Sequence, residues 1–369
     1  MDRGGRRNPS AFLLSAGSVA IAAGGLALLT WLVNPAPLTG DGPSYVAYAQ
    51  SHLQHGAAST WHARRILGPL IVGALPLDPL VGFHALTLAS LFAASLMTWA
   101  AARRWGELTA LASIVFFLGT WAVAPNLREY ALVDPLAWAF VAAIWLATVQ
   151  RRWLLAAVLG GVGVLAKEVV LLAVLAAAAA AWSPGSRLRA ASIPIPALVV
   201  LAVLVLVKPG SGTDAIAYLT KWWTDGLGSL GALRVVYLVF ASFGALWLLL
   251  PNGVVALPAD VRRAALVFIA AAFVLPAIGS PERMEELIFP AVIAAACAVI
   301  RDRYILLALA LGVANAAFVA RVGGDARLPS ALAWSGLALA IALSVIWIRR
   351  SIALQEPVDQ APRDAQFAG

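Results

Sequence analysis

A chain of 369 residues that is 62% hydrophobic, only 12% charged and written largely as apolar runs of 16 to 23 residues cannot fold as a water-soluble globule; it reads as an all-α, polytopic transmembrane bundle. The net charge of +8 does not imply nucleic acid, because the basic residues stand mainly as arginine pairs at the ends of apolar runs, where they report topology. The single cysteine, Cys297, lies inside an apolar run, so there is no disulfide framework and no cysteine-based metal site.

In chain order, "MDRGGRRNPS" has the charge of a signal peptide's first region. The apolar run behind it, 11–33, is too long for such a peptide and has no cleavage site, so it reads as an uncleaved first span. A polar loop, 34–78, follows. Within it "YVAYAQSHLQHG" has helical apolar spacing at Tyr45, Tyr48, Ala49 and Leu53, which predicts an interfacial helix. Further spans are expected at 79–102, 107–124, 132–149, 190–207, 233–250, 262–279, 285–300, 303–320 and 329–348. The piece 208–232 reads as a second interfacial loop, anchored by the "KWW" at Lys221 to Trp223. Residues 1–350 make a single transmembrane domain, and the polar tail 351–369 is expected to be disordered.

The stretch 153–182 needs a decision. As one helix it would be about 45 Å long against a hydrocarbon core of about 30 Å, with Lys167 and Glu168 near mid-membrane. As a hairpin it makes two legs of about 20 Å that turn at those two residues. The distribution of positive charge chooses the hairpin. It collects 16 of the 26 basic residues on one side, with 7 of the 18 acids, for net charges of +9 and −1 on the two faces. A single span would scramble that bias. The expectation is therefore about twelve membrane segments with both termini cytoplasmic, in a bacterial inner membrane. Nearly all the chemically varied sequence then falls on the outer side.

Several residues there could carry chemistry. Asp41 sits in a Gly and Pro turn, "TGDGPSY", and reads either as a solvated turn acid or, beside an interfacial helix, as part of a site. Arg64 and Arg65 lie on the face that disfavours them, which fits either a phosphate or carboxylate partner or lipid headgroups. Arg128, Glu129 and Asp134 cluster in "LREYALVDP", where a structural pair of Arg128 with Asp134 or Glu129 is one reading. Lys167 and Glu168 would cost about 2.5 to 3.5 kcal/mol within the membrane, so they either neutralise each other or face a polar cavity. In "GSPERMEEL" the acids Glu282, Glu285 and Glu286 suit a helix N-terminus, whereas Arg283 does not and is a candidate anion ligand. His52, His55 and His62 read as amphipathic interfacial residues rather than metal ligands, for no HExxH motif or cysteine accompanies them. No phosphate-binding loop, dinucleotide fingerprint or nucleophile elbow occurs.

The order of these features, an early aspartate with "SYVAYAQ" and "ARRILGPL", then "LVDPLA", "LAKEVVLL" and "ERMEELIFP", resembles bacterial membrane glycosyltransferases of the GT-C superfamily over roughly residues 11–300. The resemblance implies sugar transfer at the outer face from a polyprenyl-phosphate-linked donor to a lipid, glycan or protein acceptor. It makes Asp41 the general base of an inverting reaction, and Lys167, Arg283 and one of Arg64 or Arg65 the cations on the leaving phosphate. Glu168 would orient Lys167, with Asp134, Arg128, Tyr45 and His62 in support. No cofactor is expected; a divalent cation is compatible with the family but not required. Two departures stand out: Asp41 is followed by Gly42 rather than a second acid, and no sizeable outer domain follows the last span. A lipid or glycan transporter and a non-catalytic scaffold of the same descent are the rival readings. The first would lead one to expect internal repeats, which the sequence does not show.

Overall fold

The structure, a computed structural model, describes residues 9–54, 62–207, 220–221, 223–224, 231–274, 285–300 and 305–353. Regular structure among the described residues is entirely helical. Six stretches are long and apolar enough to cross a membrane, and five shorter apolar helices pack among them. The chain is a membrane protein.

Helices α1 (Pro9–Leu32), α4 (Pro79–Ala102), α5 (Glu107–Leu118) and α7 (Asp134–Val149) form one half of the bundle, with α4 against both α5 and α7 and α1 against α4 and α5. At 24 residues, α1 and α4 are each about 36 Å long, enough to cross the hydrocarbon. The start of α4 follows from its sequence. Asp78 accepts hydrogen bonds from the amides of Leu80 and Val81 at 2.9 and 3.4 Å, and Pro79 occupies the first helical position, where its missing N–H costs nothing. Two short helices, α2 (Gly42–Gln50) and α3 (Leu67–Gly73), lie in the loop between α1 and α4 and pack on each other and on α4. A helix is present in that loop with Tyr45, Tyr48 and Ala49 buried, but it ends at Gln50, and Leu53, the fourth position of the expected apolar face, lies beyond it with φ +67°.

The difficult stretch folds back on itself. Helix α8 (Trp153–Gly163) and α9 (Leu171–Ala181) are joined by a turn and a short 3₁₀ segment, Glu168–Val170. Gly160 lies so close to Val174 that a Cβ there would come within 2.4 Å of its Cγ2. In one continuous helix those residues would stand about 21 Å apart. Small residues thus do here what they do between membrane helices generally, letting backbones approach where no side chain could fit.

The remaining helices complete the bundle. These are α10 (Arg187–Ser192), α11 (Ile195–Val207), α12 (Ala232–Phe243), α13 (Leu250–Ala256), α14 (Ala259–Val274), α15 (Phe289–Ile300), α16 (Ile305–Gly323) and α17 (Ser330–Ala353). α14 packs on α9, α13 on α15, and α16 on α5 and α17. The run read as a single span at 233–250 is broken. Gly244 has φ +52°, and residues 244–249 wind as 3₁₀ helix. A break inside hydrocarbon leaves backbone groups that no water can satisfy. Asn315 of α16 answers them: its Nδ2 donates to the carbonyls of Gly119 and Phe243 at 3.0 and 3.1 Å, and its Oδ1 accepts from the Ala245 amide at 2.8 Å.

The two ends of the bundle differ. At one end the connections are short and arginine-rich, with Arg103 forked on Glu107, Arg151 on Asp260, and Arg263 donating to the last carbonyls of α9, Ala179 and Ala180. At the other end lie the α1–α4 loop, the α5–α7 connection with its short helix α6 (Ala124–Arg128), and the α8–α9 turn. The loop leaving α1 is held there from two sides. Arg327 donates from its amide to Leu32 O and from Nε to Asn34 Oδ1, both at 2.8 Å, while the Ala36 amide donates to Arg128 O at 2.7 Å. Residues 1–8, most of 208–232 and the tail from 354 lie outside the described residues.

Candidate active site

Asp41 stands at the N-cap position of α2, yet its side chain makes no cap hydrogen bond to that helix. Its Oδ1 lies 3.2 Å from His62 Nε2 instead. His62 belongs to the short 3₁₀ turn His62–Arg64, which is kept in place by the Tyr48 hydroxyl donating to Ala63 O at 3.2 Å. The Asp41 side chain is 33% exposed and that of His62 16%, so the pair sits at a surface while the ring is largely enclosed.

Behind this pair the polar contacts continue inward. Tyr45, one helical turn from Asp41 and fully buried, meets His62 edge to face with ring centroids 5.0 Å apart. Burial pushes its phenol above the usual tyrosine range, against the opposing effect of Arg65, so it acts as a neutral hydroxyl. That hydroxyl accepts from Arg65 Nη1 at 2.9 Å. Arg65 in turn grips Glu168 with two parallel bonds, from Nε at 3.0 Å and from Nη2 at 2.6 Å, the planar fork that suits a carboxylate. The Leu67 amide donates to Leu165 O at 3.0 Å, so the Arg65 segment and the hairpin turn are also tied through backbone.

One layer deeper, Lys167 donates to Asp134, the first residue of α7, and both side chains are buried. The ammonium also lies 5.5 Å from the centre of the Trp138 ring, one turn further along α7. These partners correct two expectations. Glu168 does not orient Lys167, and Asp134 does not pair with Arg128. Lys167 has extended backbone, φ −163° and ψ 135°, which sends neighbouring side chains to opposite sides. Lys167 therefore turns to α7 and Glu168 turns to Arg65. Lys167, 4% exposed, is consequently enclosed, whereas the expectation was a direct contact to a ligand phosphate.

The other candidates divide. Arg64 is half-buried in the same turn as His62, and Arg128 is half-buried and forms no ion pair among the described residues, contributing its carbonyl to the Asp41 loop. Glu129 approaches the Asp41 turn itself. A Cβ on Gly40 would lie 3.5 Å from its Oε2, so this carboxylate rests against the residue preceding Asp41. Glu285 and Glu286 stand at the helix N-terminus that their position predicts, before and at the start of the 3₁₀ turn Glu286–Ile288, and both are buried there: Glu286 receives a hydrogen bond from Asn126 Nδ2 at 3.1 Å, and neither oxygen of Glu285 is hydrogen-bonded among the described residues. Arg283, Glu282 and His55 lie outside the described residues. Among the described residues no three His, Cys, Asp or Glu side chains group as metal ligands.

The arrangement offers a surface carboxylate with a fixed histidine, flanked by a braced guanidinium and a half-buried arginine. That combination can take a proton from a hydroxyl and hold an anion within the same loop cluster. No protein-family model and no curated protein matches the sequence. Among solved structures the chain is similar to the crystal structure of ArnT from Cupriavidus metallidurans bound to undecaprenyl phosphate. The TM-score is 0.50 with 14% sequence identity, covering 91% of this chain and 75% of that one. At that identity the likeness is one of fold alone.

Proposed function

We propose that this protein is a membrane glycosyltransferase that moves a sugar from a polyprenyl-phosphate-linked donor to an acceptor hydroxyl at the outer face of the bacterial cytoplasmic membrane. The observation that carries the reading is the meeting of Asp41 and His62 with Tyr45, Arg65 and Glu168 at the end of the bundle opposite its arginine-rich turns. By the positive-inside tendency that end is the outer one. Nucleotide sugars are cytoplasmic, so a site there calls for a lipid-linked donor, and the neighbour of like fold was crystallised with undecaprenyl phosphate.

In the proposed reaction Asp41 takes the acceptor's proton while its oxygen bonds to the anomeric carbon. The bond from that carbon to the phosphate oxygen breaks on the opposite side, inverting the configuration, and the electron pair leaves on the polyprenyl phosphate. Charge grows on the phosphate as it departs, and preorganised cations stabilise it best. Arg65 retains N–H groups beyond those given to Glu168 and Tyr45, Arg64 is in the adjoining turn, and Arg283 is assigned to the same task. Lys167 acts from behind, its charge balanced by Asp134. A groove of about 620 Å³ on the flank of the bundle, between α1 and α4 and lined by residues including Ala23, Ala27, Trp31, Ala89 and Phe92, supports a place for the isoprenoid chain. The acceptor is a lipid, glycan or protein hydroxyl.

The test is transfer of radiolabelled sugar from a polyprenyl-phosphate donor into envelope material, with the protein reconstituted in vesicles made from that envelope. Asp41→Asn should lower transfer at least about 10³-fold, since it removes the base while keeping the shape, and should leave membrane insertion unchanged. Transfer by the variant at the normal rate would overturn the assignment of Asp41.

A further inference from the structure

The contact between Asp41 and His62 goes beyond a base standing alone. An aspartate at an N-cap position ordinarily satisfies its own helix by accepting from the first amides, and Asp41 does not. Its Oδ1 is given to a ring that arrives from 21 residues downstream, 3.2 Å away. That ring is held in turn by the edge of Tyr45, whose hydroxyl is fixed by Arg65, which is fixed by the Glu168 fork. The contacts run from the Asp41 carboxylate through two enclosed rings to an ion pair whose Arg65 is largely enclosed and whose Glu168 is half-buried, and each member restricts the one before it. A histidine serving only as an amphipathic interfacial residue would need none of this bracing. A group that must hold a reacting carboxylate to within a fraction of an ångström needs all of it.

We infer that His62 is the positioning residue of the base, and that Tyr45 is its brace. This rests on the reading of Asp41 as the base and deepens it. The His62 Nε2–H donates to Asp41 Oδ1 and stops the carboxylate from rotating, so that Oδ2 faces the acceptor. In the chemical step the acceptor's proton passes to Oδ2, the new C–O bond forms and the sugar–phosphate bond breaks. His62 keeps its proton throughout and transfers nothing. Gly42 follows Asp41 for a steric reason: a Cβ there would fall 2.2 Å from Pro37 O, so the partner of Asp41 comes from another turn and not from the next residue.

Reconstituted protein carrying His62→Leu or His62→Gln tests this, with transfer measured over a range of donor concentrations. Loss of one hydrogen bond to a charged group predicts a fall in kcat of about 10- to 100-fold for His62→Leu, with the donor KM within about twofold of the wild type. His62→Gln retains an N–H donor at similar reach and should recover at least about tenfold of that loss. Equal impairment of both variants with a raised donor KM would show a packing role and overturn the inference. Wild-type transfer by His62→Leu alongside an inactive Asp41→Asn would overturn it while leaving the base assignment standing, and wild-type transfer by both variants would overturn the two together. Should His62→Leu fail to accumulate in the membrane, the ratio of kcat between His62→Gln and His62→Met, of similar length without an N–H, decides the same question: a ratio near one overturns the inference.

Discussion

Lys167 and Asp134 form a buried ion pair, and its value lies in what happens when one member is removed. Taking two charges out of water is costly, and the attraction between them offsets that cost only while both remain. Lys167→Met should therefore destabilise the protein by about 3–5 kcal/mol, because Asp134 is left buried and uncompensated. The double variant Lys167→Met with Asp134→Asn should regain most of that loss. Thermal unfolding in detergent of the two single variants and the double variant checks it; additive losses would show that the side chains do not act as a pair. The sequence showed that Lys167 and Glu168 were costly in the membrane and so had a task. It could not show which partner each would take, since Arg65 and Glu168 are 103 residues apart and Lys167 and Asp134 are 33 apart. Pairing is a property of how the segments turn against one another, and extended backbone at Lys167 decided it. For the same reason His62 read as one of three interfacial histidines, and only the fold distinguishes it by bringing its ring to Asp41.

Among the elements, the break after α12 shows where apolar periodicity stops being informative. The expected span 79–102 agrees with α4 to the residue, because Asp78 and Pro79 write its start in local chemistry. The expected span 107–124 ends early at Leu118, and 233–250 contains the Gly244 break; both runs stay predominantly apolar across those points, and hydropathy does not register where hydrogen bonding changes. One distant side chain, Asn315, touches both irregular segments, and the Trp121 amide and Ser344 Oγ add bonds to Ser242 O and Ala245 O. Hydrogen bonds between membrane helices contribute about 0.6 kcal/mol each on average, so Asn315→Leu, losing three, should cost about 2 kcal/mol. Gly244→Ala should cost at least as much, since its Cβ would fall 2.3 Å from Asn315 Oδ1 and φ is positive. Because the alanine evicts the same oxygen, the two substitutions together should cost less than their sum. Denaturant titration of the two single variants and the double variant measures that coupling, and strict additivity would show that Asn315 does not hold the break.

On the scale of the whole molecule, the hairpin, the two unlike ends and the flank groove set how a lipid-linked substrate would reach the site. The hairpin and the asymmetry of charge were legible in the sequence because they rest on sums over many residues. The groove was not, because it is defined by small residues on two helices about 60 positions apart, Ala23 and Ala27 on α1 and Ala89 on α4, with Trp31 and Phe92 as walls. Of these, Ala27 and Trp31 lie within the last two turns of α1, before the loop that carries Asp41. An isoprenoid chain entering this groove leaves lipid, not water, so burial of apolar area contributes little. On the function proposed above, the groove would add dispersion contact and alignment of the donor phosphate with Arg65, a modest gain that depends on chain length. Filling it with Ala27→Trp should therefore raise the donor KM by about 3- to 10-fold for a long polyprenyl donor. For a donor of about two isoprene units, too short to extend along the groove, KM and kcat should stay at wild-type values. Comparison of the two donors on one variant separates the groove from the site: an equal rise for both would place the damage at the site, and no rise for either would remove the chain from the groove.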